Sequence, residues 1–275
     1  IKSIEISGKK VFPNYNTCWH FDDKVGQKYL LEAIGAPLVK SYVFFEFEKA
    51  LDWARQAEYP KVFKLRRGAG AENVRLIKNF SEARQILLQA FSSGFKTKSR
   101  THFLKERLWQ FRRDKTFLSF LNLSKGMARL FIPTQAEKQQ PVEKNYAYFQ
   151  DFVPECDHDI RIVVIGEKAF AIKRFVRDGD FRASGSGKFA YEQDCIPLEC
   201  VEMSFELNKK LRAQCLAYDF VVKEKKPLLI EVSYGFSSEG YLQCPGYWDS
   251  SLNWHDGEFV PEFFMIEDFL GINNG

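Results

Sequence analysis

Asp219 and Glu231 lie in two consecutive strand-like segments, AYDFVV and LLIEVS, joined by the charged turn KEKKP. Each carboxylate sits in an otherwise apolar run, where an unpaired charge is costly. Folded into a hairpin, the two would repel unless a cation stood between them. Magnesium, held by one or two carboxylates plus substrate phosphates, meets that need; an acid pair with a purely structural role is the plainer alternative. Upstream, DIRIVVIGEKAFAIKRF carries Asp159 and Arg161 at alternate positions, hence on one face of a strand, and Lys173 and Arg174 on the returning strand. A cationic sheet face beside a carboxylate suits a polyanion that also bears hydroxyl groups. A salt-bridge ladder would use the same residues. Lys64 ends the segment KVFK and precedes a loop with Gly68 and Gly70. Such a loop can bring an ammonium and backbone N–H groups around phosphates, but it lacks the G-K-[ST] of a P-loop, and a plain hairpin fits too. Lys24 falls in the opening turn of a helix, where the dipole disfavours a cation. It is either an anion contact or a solvated lysine.

The elements that must position these residues are legible from periodicity. Asp22 and Asp23 precede KVGQKYLLEAIG, a capped helix stopped at Gly35 and followed by Pro37. PLVKSYVF reads as a strand and FEKALDWARQA as an amphipathic helix. The Lys64 strand, its glycine loop and a second strand follow, then the helix SEARQILLQAF with Ser81 as its expected cap. Residues 96–140 are helical in pattern. From Tyr146 the texture turns to strands rich in β-branched and aromatic residues, with Gly166 marking a hairpin turn. CVEMSFELNKKLRAQCLAY is read as one helix, and the tail ends in a short helix. The order predicts an α+β protein with a small N-terminal unit and a larger antiparallel-sheet unit.

Taken in order, DDKVGQKYLLEAIGAPLV, VFK, QDFVPECDHDIRIVVIG, AIKRFVRDGDFRAS and YDFVVKEKKPLLIEVS resemble the ATP-grasp superfamily from Asp23 to Gly235. The likeness is greatest to the branch of amino-acid ligases acting on peptide or protein termini. The resemblance implies the ATP-grasp fold: two α+β subdomains with ATP held between them, here with a basic helical insertion. The expected division is 1–95 for the N-terminal subdomain, 96–140 for the insertion and 141–275 for the C-terminal subdomain. It implies ATP and Mg2+ as cofactors. Lys24, Lys64 and Lys173 would bind the nucleotide, with Gln150, Asp151 and Val153 at the adenine hinge and Asp159 at the ribose. Asp219, Glu231 and Ser233 would hold the metal. Arg161, Arg174 and Arg182 would be catalytic, facing the γ-phosphate and the acceptor carboxylate.

The implied reaction joins a carboxylate to an amine through an acyl phosphate, with the loop after Lys64 as a lid against water. A kinase acting on a hydroxyl, or a nucleotide-binding protein without turnover, are the competing readings. Three departures bear on this. Ser233 stands where the family has a metal-binding Asn, and FRAS replaces F-R-S-N, with Ser184 at the Asn place. About twenty residues precede Asp23, too few for the N-terminal α/β domain that commonly helps hold the acceptor.

Charge is unevenly placed. Residues 96–129 carry ten Lys/Arg against Glu106 and Asp114, a balance of +8, so a net charge of +4 leaves −4 for the rest. Leu104, Leu108 and Phe111 share one helical face there. A covering helix or a homodimer contact is one reading; a docking surface for an acidic glycan or a membrane surface is the other. No recognition motif for nucleic acid appears. The tail, with Trp248, Trp254 and His255, resembles tails of ATP-grasp proteins associated with bacterial surface polysaccharides, which would make the acid a sugar acid or an amino acid. Stacking on sugar and burial in the core are both open to the two tryptophans, and His255 reads as structural. The six cysteines lack C-x-x-C spacing. With no apolar signal-peptide core in IKSIEISGKK, reduced thiols and a cytoplasmic location are expected. The first residue is Ile, which suits a fragment or a processed chain.

Overall fold

The computed structural model describes residues 1–68, 73–96, 142–176, 181 and 187–272. The helical expectation for 97–140, and Gly70, Arg182 and Ser184, lie outside the described residues. The chain forms two compact units, Tyr42–Gln150 and Ile1–Ser41 joined with Asp151–Gly275, the latter opening with the short helices α1 (Lys2–Ile6) and α2 (Tyr15–Cys18).

In the first of these, strands β1 (Ser41–Phe44), β2 (Lys61–Lys64), β3 (Arg75–Ile77) and β6 (Ala147–Asp151) form a sheet in the order β1-β6-β2-β3. Two short strands, β4 (Phe95–Lys96) and β5 (Val142–Glu143), pair separately. Helices α4 (Phe47–Gln56) and α5 (Phe80–Ala90) bury Ala50, Leu51, Ala54, Ile86 and Leu87 against Phe63, Ala147 and Phe149. The cap of α5 is Asn79, which accepts from the Glu82 N–H at 3.0 Å. Ser81, the expected cap, falls inside the first turn, because the helix begins at Phe80.

The other unit is built on an antiparallel sheet. Strands β7 (His158–Ile165), β8 (Lys168–Phe175), β10 (Cys215–Lys223), β11 (Lys226–Ser233), β12 (Gly246–Asp249) and β13 (Trp254–Asp256) run in the order β11-β10-β7-β8-β12-β13. Strand β9 (Phe189–Ala190) pairs with β8. Gly166, at φ +54°, makes the β7–β8 turn, and a Cβ there would lie 2.4 Å from the Asp268 carboxylate. The positive φ favours glycine.

Alternation gives this sheet two faces. One face, with Ile160, Ile162, Val164, Ala171, Leu216, Tyr218 and Phe220, packs under α3 (Lys24–Ala33) and α6 (Leu198–Leu211). Helix α6 ends at Leu211 with Arg212 in the left-handed region at φ +52°, so the single helix expected over 200–218 is in fact a helix followed by the start of β10. The turn lets Cys215–Tyr218 supply ladder hydrogen bonds to β7 instead of continuing a helix. The other face carries Val163, Ile165, Phe170, Ile172, Cys215 and Ala217 at one end, under Tyr241, Cys244 and Phe264 of the tail. Phe264 belongs to α7 (Pro261–Leu270). The remaining end of this face is charged. Among the described residues, no helix is long and apolar enough to cross a membrane. All six cysteines are free thiols.

Candidate functional site

The charged end of the sheet face is assembled by register. Across the ladder, Glu231 of β11 pairs with Asp219 of β10, and Asp219 pairs with Arg161 of β7. Two residues along, Asp159 of β7 pairs with Arg174 of β8. The β10–β11 pairing shifts register just after Asp219, between Asp219 and Phe220. Such a shift re-aims side chains where it falls.

Both arginines are committed to carboxylates. Arg161 donates through Nε and Nη2 to the two oxygens of Asp219, each at 2.6 Å. Arg174 donates to both oxygens of Asp159 at 2.6 and 2.7 Å, and its Nη2 also lies 3.0 Å from Asp219 Oδ2. These fork-to-fork contacts are the strong form of a charged hydrogen bond. Of the two readings that the sequence left open, a salt-bridge ladder is therefore present. It does not exclude a ligand, since the same groups suit phosphate and metal.

Burial sets the electrostatics. Asp219 is 4% exposed, Arg174 6% and Asp159 8%. Burial alone would raise the Asp219 carboxyl, but the Arg161 and Arg174 guanidinium groups override it and hold it well below the usual carboxylate range. Burial wins at Asp159, whose carboxyl is pushed up despite Arg174. Burial would lower Arg161, but the Asp219 charge outweighs it and raises the guanidinium further.

Helix α3 brings a third cation. Asp23 caps it, accepting from the Gly26 N–H at 2.9 Å, which places Lys24 in the first turn. Gln27 ties the helix to the chain on both sides: its amide donates to the His20 carbonyl at 3.0 Å and accepts from the Val232 N–H at 3.4 Å. The segment after the helix joins β11 through Val39 N–H to Leu229 O at 3.0 Å and Leu229 N–H to Pro37 O at 2.8 Å. Lys24 Nζ is consequently 3.5 Å from the Glu231 carboxylate. Unlike Asp219, Glu231 keeps about a third of its side chain exposed, at 32%. Three cations, Lys24, Arg161 and Arg174, thus face three carboxylates, Asp159, Asp219 and Glu231.

Lys173 pairs with Ile160, so it lies on the α6 face of the sheet, opposite to Arg174. Ser233, two residues beyond Glu231, donates to the Gly235 carbonyl at 3.1 Å and accepts from its N–H at 3.2 Å. Asp151 donates its N–H to the Lys40 carbonyl at 2.8 Å, and Val153 is partly exposed in the segment that follows β6. In the Tyr42–Gln150 unit, Lys64 ends β2 at 8% exposure and donates to Gln150 Oε1 at 2.7 Å. Trp248 is a core residue, packed on Trp254 at a centroid distance of 4.6 Å. His255 stacks on Tyr247 and bonds Asp249 at 2.9 Å.

The sequence reading missed Tyr241. It is 3% exposed, packs on Phe170, and has Arg161, Asp219 and Arg174 as its charged neighbours. It sits in a short 3-10 turn with no periodic pattern, so no local signal announced it.

Residues 121–242 match a RimK-like ATP-grasp domain. No curated protein matches the chain. Among solved structures, the biotin carboxylase domain of Hydrogenobacter thermophilus 2-oxoglutarate carboxylase, determined with MgADP, ADP and bicarbonate, is similar with TM-score 0.59 and 13% identity, over 98% of this chain and 50% of that one. N5-carboxyaminoimidazole synthase from Aspergillus clavatus gives TM-score 0.57 and 10% identity, over 100% of this chain and 57% of that one. D-alanine–D-alanine ligase from Bacillus anthracis gives TM-score 0.53 and 14% identity, over 98% and 75%. The chain thus has the ATP-grasp fold, an α+β architecture. It spans about half the length of the first two of these relatives.

Asp219 and Glu231 supply hard oxygen donors on adjacent strands, which fits Mg2+. Lys24, Arg161 and Arg174 supply the cations that phosphates require. The donor set therefore fits a magnesium nucleotide.

Proposed function

We propose that the chain is an ATP-dependent carboxylate–amine ligase that binds Mg-ATP at the charged end of the β7–β8–β10–β11 face. The observation that carries this reading is the row Glu231–Asp219–Arg161, flanked by Arg174 and Lys24, which sets carboxylates and guanidinium groups side by side on one sheet face. In it, Asp219 and Glu231 hold the metal, and bound Mg2+ offsets charge on the transferring phosphoryl oxygens. Arg161, Arg174 and Lys24 bind and orient phosphate oxygens. Arg182 joins them by resemblance. Lys64 and Gln150, hydrogen-bonded to each other at 2.7 Å, keep the nucleotide-binding roles the resemblance gives them. Asp151, Val153, Asp159 and Lys173 keep the nucleotide-binding roles the resemblance gives them, and Ser233 that of a weaker metal contact.

The reaction class follows from charge. A carboxylate attacks the γ-phosphoryl group, the O–P bond to ADP breaks, and the acyl phosphate formed is attacked by an amine, which releases phosphate. A sugar acid or an amino acid is the proposed carboxylate, in the setting of surface polysaccharide, on the likeness of the tail alone. Contact of residues 96–129 with an acidic glycan or a membrane surface rests on their balance of +8.

Incubation with Mg-ATP and panels of acids and amines tests this. The reading predicts ADP and phosphate only when both an acid and an amine are present. AMP release contradicts it. A phosphorylated hydroxyl product with no need for amine establishes the kinase. Ser233, bonded to Gly235 within its own turn, favours one second reading, a nucleotide-binding protein without turnover; calorimetric ATP binding with no product from any panel would establish that.

A further inference from the structure

The metal ligand Asp219 is already fully engaged. Both of its oxygens accept from Arg161 at 2.6 Å, and Arg174 adds a third contact at 3.0 Å. Seen from the other side, the guanidinium group that is to bind phosphate is itself held by a buried carboxylate. A lone divalent cation arriving here meets a carboxylate whose charge is offset. A lone polyanion meets an arginine in the same condition. Each of them must break a bidentate pair, which is costly if the group left behind is buried and unpaired. Only when cation and anion arrive together do both halves of the pair gain new partners.

Resting on the reading of this face as a magnesium–nucleotide site, the geometry points to Arg161 and Arg174 as positioning residues that mask Asp219 until phosphate draws them away. The Arg161–Asp219 pair makes the site selective for a metal–phosphate complex over either component. Glu231, a third exposed and 3.5 Å from Lys24, is the first contact for the metal. Asp219 is the second, released as Arg161 turns to phosphate. Linkage requires the coupling to be mutual: whatever factor nucleotide adds to metal affinity, metal adds to nucleotide affinity.

Simple metal–phosphate pairing in solution also couples the two ligands, so the discriminating experiments use each ligand alone. Binding of Mn2+ to the full chain without nucleotide is followed by loss of the free-ion electron paramagnetic resonance signal. Arg161→Met should bind Mn2+ about tenfold more tightly than the wild type, although it removes a residue of the site. Binding of ADP in the presence of a chelator is followed by calorimetry. Asp219→Asn should bind metal-free ADP about three- to tenfold more tightly, because Arg161 is then free to meet phosphate. Loss of a carboxylate charge by itself also favours phosphate, so the gain in Asp219→Asn must exceed that in Glu231→Gln, which leaves the Arg161 pair in place; equal gains overturn the inference. Each variant decides independently, should the other fail to fold. A folded variant without its gain in affinity overturns the inference and shows the pair to be a fixed strut, while Mn-ADP binding by the wild type keeps the nucleotide reading intact. A wild type that binds neither ADP nor Mn-ADP overturns both.

Discussion

The two ends of one sheet face use the same strands for opposite purposes. At one end Val163, Ile165, Phe170 and Ala217 are closed over by Tyr241, Phe264 and the tail. At the other, Asp159, Arg161, Arg174 and Asp219 continue the same alternation with charge. Pleat and register are shared, so side-chain chemistry alone decides which end holds the fold and which end can take a ligand. Burial at the apolar end is stabilising roughly in proportion to area. Pairing at the charged end offsets desolvation and adds little beyond that. The fold therefore depends on one end, and the proposed chemistry on the other.

The largest expected effect breaks the apolar end. Phe170 is fully buried and meets Tyr241 and Phe259 at centroid distances of 4.9 and 4.8 Å. Phe170→Ala should cost about 3–5 kcal/mol of stability in denaturant unfolding. Nucleotide affinity, measured where the variant is still folded, should change far less than stability does.

A second effect concerns acid. Because the folded Asp219 carboxyl is held below its unfolded value, its contribution to stability is fully present above the usual carboxylate range and is lost as pH falls through the folded value. Asp159 is raised, so it acts in the opposite sense: its ionisation destabilises as pH climbs through its folded value. Asp219→Asn removes the first contribution and also relieves Asp159 of a neighbouring negative charge. Its unfolding free energy should therefore fall less steeply on acidification below about pH 4 than that of the wild type. An unaltered acid limb would separate Asp219 from the charge balance of this face.

The smallest effect on stability should be accompanied by a clear one on binding. Lys24→Met removes a partly exposed contact at 3.5 Å and should alter stability by no more than ~1 kcal/mol. If the charged end binds phosphate, ATP affinity should nevertheless drop at least about fivefold. Equal, small changes in both would reduce Lys24 to a surface ion pair.

Much of the fold was legible because it is local. Asp23 and Gly35 bracket α3, and Gly166 marks the β7–β8 turn. The alternation of Asp159 with Arg161 put both on one face without knowledge of the partner strand. What was hidden depends on contacts far apart in sequence. Nothing in IKSIEISGKK or the segment after it shows that the first 41 residues pack with the C-terminal sheet, yet the Gln214 N–H donates to Thr17 at 2.8 Å and Val39 joins Leu229. The bidentate engagement of Asp219 by Arg161 needs the β7–β10 register, which two isolated strands do not reveal. Lys173 and Arg174, neighbours in sequence, separate to opposite faces for the same reason that Asp159 and Arg161 stay together. Cap choice was a near miss of two residues, Asn79 in place of Ser81, a distance over which side-chain types alone do not discriminate.

The central claim, that Glu231 and its neighbours hold a magnesium nucleotide, is tested most directly by calorimetry of ATP binding with and without Mg2+ in the wild type and in Glu231→Gln. Glu231 is partly exposed, so the variant should fold. Mg2+ should strengthen ATP binding in the wild type, and Glu231→Gln should lose most of that strengthening while still binding metal-free ATP. The same gain from Mg2+ in both proteins would contradict it.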